Sequence, residues 1–540
     1  MRLVAVAASF AVLGSATAWA ATITGTDRAD HLRGTAGADS LFGRGGDDLL
    51  EGLGGNDLLD GGPGRDTLLG GPGDDRIAAS YDGARDIVRC GPGKDLVNAD
   101  LVDRVGSDCE VVAHRLSRDA FHNSDSQHET EAEPASFAFG QTIVAAFQSG
   151  RFTNGGAASI GFATSSDRGQ TWRSGFLPGL TGLSRPAGSA ERASDPTVVY
   201  DAEHGVWLIA ALTLAADQWQ LLVSRSTDGL SWSLPVAAAV SAAGTLDKGW
   251  LACDNWPSSP LRGRCYLSYL DVASNQIATR ASTDGGLTWS PPASPPAPSP
   301  IDVNGAQPLV RPDGTLVVVY ASFSNRRFEE TDVLAIRSTD GGASFSDPAR
   351  VADLQASEVV DLRSPPLPSA SVDGGGRLYV VWEDCRFTSA CSRNDLVLAS
   401  SDDGITWSAP VRVPTTGATS TTDSLVPGFA ADPATAGGTP RLALVYYTQP
   451  VDCSVQPTCA GVDALTISSA DGGATWSRPQ RLDAEPMKLS WIAADAEEGH
   501  MLGDYETVSF VAGRPVPIFA LSVAPAAPGR FRQAIYARTR

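Results

Sequence analysis

Two hydrophobic periods divide this chain. From residue 21 to about 110, an apolar residue returns every nine positions: Leu41, Leu50, Leu59, Leu68 and Ile77 keep the spacing. Gly34, Gly43, Gly52, Gly61 and Gly70 share it, and so do Asp39, Asp48, Asp57, Asp66 and Asp75. Gly25, Asp30 and Leu32 begin the pattern one turn earlier. After Ile77 the phase slips by two residues and resumes at Asp86/Val88 and Asp95/Val97. This period predicts glycine-rich half-turns between short strands, with the apolar position pointing into a narrow core. Stacked turns should align the aspartates in a row, one per turn. Carboxylates and loop carbonyls are hard oxygen donors of the kind calcium takes, and without an ion the packed carboxylates repel.

Beyond residue 120 the pattern changes to β-branched runs broken by DP and DG turns, as in SDPTVVYDAEHGVWLIAAL and LVRPDGTLVVVYAS. No stretch carries a helical period, so strands are predicted throughout. Six similar octapeptides recur: SSDRGQTW, RSTDGLSW, STDGGLTW, STDGGASF, SSDDGITW and SADGGATW. Their aspartates, Asp167, Asp228, Asp284, Asp340, Asp403 and Asp471, are spaced 56 to 68 residues apart. That is the length of one four-stranded blade with its loops.

The first segment resembles the RTX, or haemolysin-type, calcium-binding repeats. GGPGRDTLL and GGPGDDRIA follow that family's G-G-x-G-x-D-x-U-x, and LEGLGGNDLL and LFGRGGDDLL follow it with one glycine replaced. The resemblance implies calcium as cofactor, with Asp39, Asp48, Asp57, Asp66 and Asp75 as its ligands. The octapeptides resemble the Asp box, or BNR repeat, of sialidases and other propellers. In that family the box aspartate is a structural turn residue on the outer rim. The expected fold class is all-β: an N-terminal parallel β-roll, then a β-propeller. Inner strands near Glu129, Ser194, Gly249, Gly305, Pro366, Ser424 and Gly503 favour seven blades, the last closed by a strand near Glu110–Leu116. Six blades, as in sialidases, is the alternative. The expected organisation is a signal peptide at 1–20, the roll at 21–110, a linker or closing strand at 111–128, and the propeller at 129–540.

Composition narrows the setting. Arg2, an apolar run from Leu3 to Leu13, and Ala18-Trp19-Ala20 read as a signal peptide, so the expected location is secreted and extracellular. No second run is long enough to span a membrane. Four close cysteine pairs fit an oxidising compartment: Cys90/Cys109, Cys253/Cys265, Cys385/Cys391 and Cys453/Cys459. Neighbour pairing is expected, although spacing alone leaves other connectivities open. A net charge of −21 argues against nucleic acid and anionic membranes as partners.

Propeller ligands bind where inner strands converge. Polar residues near those strands are Glu129, Asp195, Asp247, Lys248, Asn304, Arg363, Asp423, Asp504 and Tyr505. The sialidase likeness implies Tyr505 as nucleophile, Asp195 or Asp247 as acid, and Arg363 as one arginine of a carboxylate clamp. The F/Y-R-I-P string that carries the first clamp arginine is absent; Ser184-Arg185-Pro186 follows the first octapeptide instead of preceding it. Glu383 and Asp384 in WEDCR could form an acid pair, but a loop tied by Cys385–Cys391 explains that string as well. The six histidines lack metal-ligand spacing. The expected function is a secreted calcium-binding protein whose propeller binds a glycan or an extracellular protein. The alternative is an exo-alpha-sialidase-type glycoside hydrolase acting on sialylated glycans.

Overall fold

The computed structural model describes residues 20–297, 299–324, 329–437, 439–451, 453, 461–525 and 530–540. Residues 1–19 of the expected signal peptide, and Cys459, lie outside the described residues. Among the described residues the fold is all-β, with two three-residue 3-10 turns, Ser389–Cys391 and Leu489–Trp491, as its helical elements. No described helix is long and apolar enough to cross a membrane. The chain divides into two compact units.

The first unit holds residues 20–116, 481–486 and 536–540. Its nine-residue period becomes three-residue strands such as Ser40–Phe42, Leu49–Glu51 and Leu58–Asp60. The central residue of each is buried, and Leu41, Leu50, Leu59, Leu68, Ile77, Val88 and Val97 form one core. The single row of aspartates expected from the period is corrected here. Ser40–Phe42 pairs in parallel with Leu58–Asp60, and Leu49–Glu51 with Thr67–Leu69. Each glycine turn reverses the chain only once, so one coil takes two nonapeptides. Two parallel sheets result, and the aspartates form two rows. Asp39, Asp57, Asp75 and Asp95 make one; Asp48, Asp66 and Asp86 make the other. The two-residue slip is absorbed in the turn at Tyr81, whose φ is 87°. Cys90–Cys109 is a disulfide. Val111–Arg115, the strand expected near Glu110–Leu116, lies parallel to Leu96–Asp100 and antiparallel to residues 536–538.

The second unit holds residues 117–480 and 487–535 and is a succession of antiparallel sheets. One sheet orders Asp302–Val310, Leu316–Ser324, Glu329–Ser338 and Ala349–Asp353 side by side. Sheets pack face to face: Val317, Val319 and Val333 share a core with Leu378, Val380 and Trp382 of the following sheet. Tyr379, Val381 and Leu398 face Leu442, Leu444 and Tyr446 of the next. A middle strand is therefore apolar on both sides, which is why LVVVYA and RLALVYY read as unbroken hydrophobic runs.

The octapeptides are tight turns between strands. Asp167 accepts backbone N–H bonds from Gln170 at 3.1 Å and Thr171 at 2.9 Å, while Gly169 donates to the Ser165 hydroxyl at 2.8 Å. Asp228, Asp284, Asp340, Asp403 and Asp471 each accept from their own turn in the same way. The following aromatic packs inward: Trp172 and Phe345 are buried, and Trp232, Trp289, Trp407 and Trp476 lean on core clusters. Cys253–Cys265 and Cys385–Cys391 are disulfides.

A second irregularity repeats. In five first strands, two residues oppose one on the neighbouring strand: Glu133-Pro134, Asp195-Pro196, Lys248-Gly249, Gly305-Ala306 and Val426-Pro427. The leading residue of every bulge has positive φ, 53° at Glu133, 46° at Asp195, 45° at Lys248, 74° at Gly305 and 48° at Val426. A side chain held there costs on the order of 1–2 kcal/mol. Bulges re-aim side chains, and three of these leading residues are charged.

The roll offers a direct packing test. A Cβ added at Gly52 would lie 2.4 Å from Asp57 Oδ2 and 2.5 Å from the Gly70 carbonyl oxygen, whereas one at Gly54 meets only the Pro72 carbonyl at 3.7 Å. Gly52→Ala should destabilise the roll by about 1–3 kcal/mol and speed hydrogen exchange across residues 40–80. Gly54→Ala should leave exchange unchanged.

Candidate functional site

Two groups of buried carboxylates stand out, one in each unit. In the roll, each aspartate spends one oxygen on the backbone. Asp57 Oδ1 accepts the Asp39 N–H at 2.8 Å, Asp66 Oδ1 that of Asp48 at 2.8 Å, and Asp75 Oδ1 that of Asp57 at 2.9 Å. The other oxygen, Oδ2, is buried without a hydrogen-bond partner in Asp48, Asp57, Asp66, Asp75, Asp86 and Asp95. A backbone carbonyl lies beside several of them: the Cβ position of Gly52 meets both Asp57 Oδ2 and the Gly70 oxygen, and that of Gly70 meets Asp75 Oδ2 and the Cys90 oxygen. Orphaned carboxylate oxygens beside carbonyl oxygens are the donor set of a hard divalent cation. Asp39 differs, because its Oδ2 accepts from Thr35. Asp86 and Asp95 belong to the set although they lie past the phase slip.

Burial, and then neighbouring carboxylates, raise these acids. Asp48 and Asp95 are pushed up to about 6, Asp66 and Asp75 to about 7, and Asp86 to about 8. Such shifts are the signature of charge waiting for a counter-ion.

The second unit contains a cavity of about 660 Å³. Asp195, Asp247, Lys248, Asn304, Arg363 and Asp504 from the sequence-based set all line it. The bulges deliver Glu133, Asp195 and Lys248 to the same space. Asp504 is the hub. Arg363 grips it with Nε at 2.7 Å and Nη2 at 3.0 Å, and Lys248 Nζ stands 3.4 Å away. These cations outweigh burial and hold Asp504 below the ordinary carboxylate range. Lys248 loses proton affinity to burial but regains more from Asp504, Glu133, Asp195 and Asp247, so it stays charged.

The other acids are pushed the opposite way. Asp195 is 7% exposed, and no described residue donates a hydrogen bond to its carboxyl group. Burial, reinforced by Glu133, holds it well above the ordinary range. Glu133 accepts from Gln148, and Asp247 accepts from Asn304 at 2.8 Å. Burial raises both. The cavity thus sets two carboxylates held ionised by their cations, Asp504 and Asp495, beside three that favour the proton, an arrangement suited to acid–base work.

The remaining expectations fall elsewhere. Tyr505 does not line this cavity. Its hydroxyl donates to the Pro196 carbonyl at 3.2 Å, and its ring supports Lys248 Nζ at 4.4 Å and packs on Trp250 at 5.1 Å. Burial pushes that hydroxyl well above its ordinary range. Glu506, the adjacent acid, accepts from Tyr447 at 2.6 Å and the Ala520 N–H at 3.2 Å and does not activate it. As placed, its hydroxyl is spent on a backbone carbonyl and its ring braces Lys248. Arg363 reaches the cavity, but its guanidinium is bound to Asp504. Asp423 accepts the Asn394 N–H at 2.6 Å and lies outside the lining, as does Glu129. Glu383 is buried, accepting from Ser364 and the Val426 N–H at 2.7 Å each, while Asp384 takes Trp382 and Arg386. They do not form a cavity pair. Lining residues that the sequence reading missed are Glu133, Arg151, Arg192, Trp219 and Asp495. Glu133 had a signal: Ala132-Glu133-Pro134-Ala135 repeats the form of Ser194-Asp195-Pro196-Thr197.

Comparison with known proteins agrees with the roll. Residues 24–59 and 51–80 match the RTX calcium-binding nonapeptide repeat, in four copies. These repeats bind calcium, and the orphaned oxygens above are the residues that would hold it. No curated protein matches the chain. The chain is similar in structure to several solved proteins. One is a protein of unknown function from Dyadobacter fermentans, 16% identical over 66% of this chain and 99% of that one, with a TM-score of 0.43. A Hadza microbial sialidase is 16% identical over 76% and 66%, with a TM-score of 0.40. An ulvan-type polysaccharide lyase is 13% identical over 77% and 94%, with a TM-score of 0.46.

Two outcomes follow from these charges. Acids whose folded pKa is raised bind more protons folded than unfolded, so the ion-free roll should lose stability as pH rises from about 4 towards 8. Hydrogen exchange of calcium-free full-length protein at several pH values should show faster opening of residues 40–100 at the higher pH, and added calcium should reverse it. Asp504→Asn leaves Arg363 and Lys248 buried without their anion and should cost about 3–5 kcal/mol in urea unfolding.

Proposed function

We propose that this chain is an extracellular, calcium-stabilised glycan-binding protein, with the glycan held in the cavity of the second unit. The carrying observation is the cavity itself. Its volume of about 660 Å³ lies within the roughly 300–1,000 Å³ usual for small-ligand sites. Its lining is dense in hydrogen-bonding groups and includes one aromatic face, the partly buried Trp219. Hydroxyl-rich rings need that combination of polar partners and a flat apolar surface. The secretion reading draws support from the leader-like start, the disulfides and the calcium repeats, since extracellular calcium can fill such sites.

The sheets are read as seven blades of a propeller. Seven first strands support the count: Glu131–Phe139, Arg192–Asp201, Leu246–Cys253, Asp302–Val310, Ser369–Val372, Thr422–Ala431 and Thr507–Val511.

A second reading, glycoside cleavage, is favoured by one feature, Asp504 held ionised by its cations beside Asp195, whose carboxyl burial pushes well above the ordinary range. Asp195 would then donate the proton to the departing oxygen. The sialidase form of this reading needs arginines free to clamp a carboxylate, but Arg363 serves Asp504, and Arg151 serves Asp495 at 2.6 Å.

The calcium-loaded protein should bind members of an immobilised glycan array. Trp219→Ala should weaken that binding about tenfold with the fold retained. Absence of binding to any glycan would end the proposal. Release of a fluorogenic aglycone that vanishes in Asp195→Asn would establish cleavage.

A further inference from the structure

The charge of the cavity narrows the ligand, given the glycan-binding reading above. Four cations line it, and each is already engaged. Arg151 Nη2 lies 2.6 Å from Asp495 Oδ2, with both side chains 3% exposed. Arg363 and Lys248 share Asp504. Arg192 donates to Asn154 Oδ1 at 2.7 Å and the Gly155 carbonyl at 3.0 Å, with its guanidinium 4.4 Å above the Phe152 ring. The acids are in excess. Glu133, Asp195 and Asp247 form no ion pair among the described residues; Glu133 accepts from the amide of Gln148 and Asp247 from that of Asn304. Asp195 is more than nine-tenths buried, faces the cavity and accepts no hydrogen bond.

We infer that the cavity recognises a glycan carrying a free ammonium group, as in a de-N-acetylated hexosamine, and rejects sialic and uronic acids. An ammonium is a compact cation with several N–H donors, which Asp195 lacks and the surrounding acids could share. An anionic sugar brings Glu133, Asp195 and Asp247 no donor and is repelled by whichever of them ionises. To win Arg151 or Arg363 it would also have to break an ion pair, a loss on the order of several kcal/mol, and Arg192 is committed to Asn154, the Gly155 carbonyl and the Phe152 ring. A neutral N-acetyl sugar brings neither penalty nor gain, so it should rank between the two.

The same arrangement gives binding a pH dependence. Asp195 is faced by Glu133 from Glu131–Phe139, by Asp247 and Lys248 from Leu246–Cys253, and by Asp504 from the segment before Thr507–Val511. Arg151 and Arg363 complete the charged surroundings. Burial keeps the three surplus acids partly protonated, and a bound ammonium favours their ionised forms. Binding should release protons and tighten as pH rises, for as long as the amine remains charged.

Titration calorimetry on the calcium-loaded full-length protein tests this with three probes: a glucosamine oligomer, its N-acetylated counterpart and an oligogalacturonate. We expect the free amine to bind at least about tenfold tighter than the N-acetylated form, tenfold being about 1.4 kcal/mol, with no binding of the uronate. Its affinity should rise from about pH 4.5 to about 6, where the sugar amine stays charged. Asp195→Asn should close the gap between amine and N-acetyl forms. Asp247→Asn should narrow it, which keeps the test open if the first variant fails to fold. Equal or tighter binding of the N-acetylated form or the uronate overturns the inference. So does an unchanged preference in folded Asp195→Asn. Binding of other neutral glycans with none of these three overturns it and leaves the glycan reading standing; silence across every glycan removes both.

Discussion

Carboxylates buried without a cation govern both units of this protein. Removing an ionised group from water costs several kcal/mol even after relaxation, so each such acid must find a counter-charge, hold a proton or be donated to. In the roll the geometry leaves little choice. A nine-residue repeat returns an aspartate to the same flank on every coil, and one oxygen of each is consumed by a backbone N–H eighteen or twenty residues away. In Asp48, Asp57, Asp66, Asp75, Asp86 and Asp95 the second oxygen is buried with no donor among the described residues. A core of single leucines per half-coil is thin compensation, so the carboxylates themselves set when the roll is stable. Calcium then acts as the missing structural element, in the sense that binding free energy becomes folding free energy.

The cavity handles the same cost by internal pairing. Asp504 is kept ionised by Arg363 and Lys248, and Lys248 is kept charged by the acids around it. The cluster is therefore cooperative: each member's charge state depends on its neighbours'. The backbone contributes as well. Glu133, Asp195 and Lys248 reach the cavity because their bulges hold them at positive φ. Strain of that kind persists only where surrounding structure over-determines it. Sheets packed on both faces by Val, Leu, Tyr and Trp supply that rigidity.

Much of this could be read from residue spacing. The roll's turn length, its leucine core and its aspartates follow from period alone, because a short repeat makes every turn report the same geometry. What period could not convey was that half-turns alternate sides; the second row appears only once strands pair with the next-but-one. The octapeptides likewise read as turns, since Asp, Gly and a hydroxyl residue make the same local bonds wherever they stand. Asp195, Asp247, Lys248, Arg363 and Asp504 were found near strand starts and do share one cavity. Their roles were harder to read. A tyrosine at a strand start looks like a nucleophile until its hydroxyl is seen on the Pro196 carbonyl. Arg151, Trp219 and Asp495 lie hundreds of residues apart in part and carry no local pattern, so only tertiary packing brings them together.

Arg363 shows how pairing shapes recognition. An arginine in a pocket is commonly taken as a grip for an anionic ligand, because its planar fork matches a carboxylate. Here the fork already matches Asp504, two bonds to two oxygens. A ligand carboxylate would have to displace an internal anion that is held in place at no entropic cost on binding. The exchange gains one ion pair and loses another, and it strands Asp504 beside Glu133 and Asp195. The arginine therefore acts on ligands through Asp504, fixing that carboxylate in its ionised form and in one orientation. The acids that lack such a partner, Asp195 foremost, are the groups with interaction energy left to give, and they set the sign of charge that the cavity accepts.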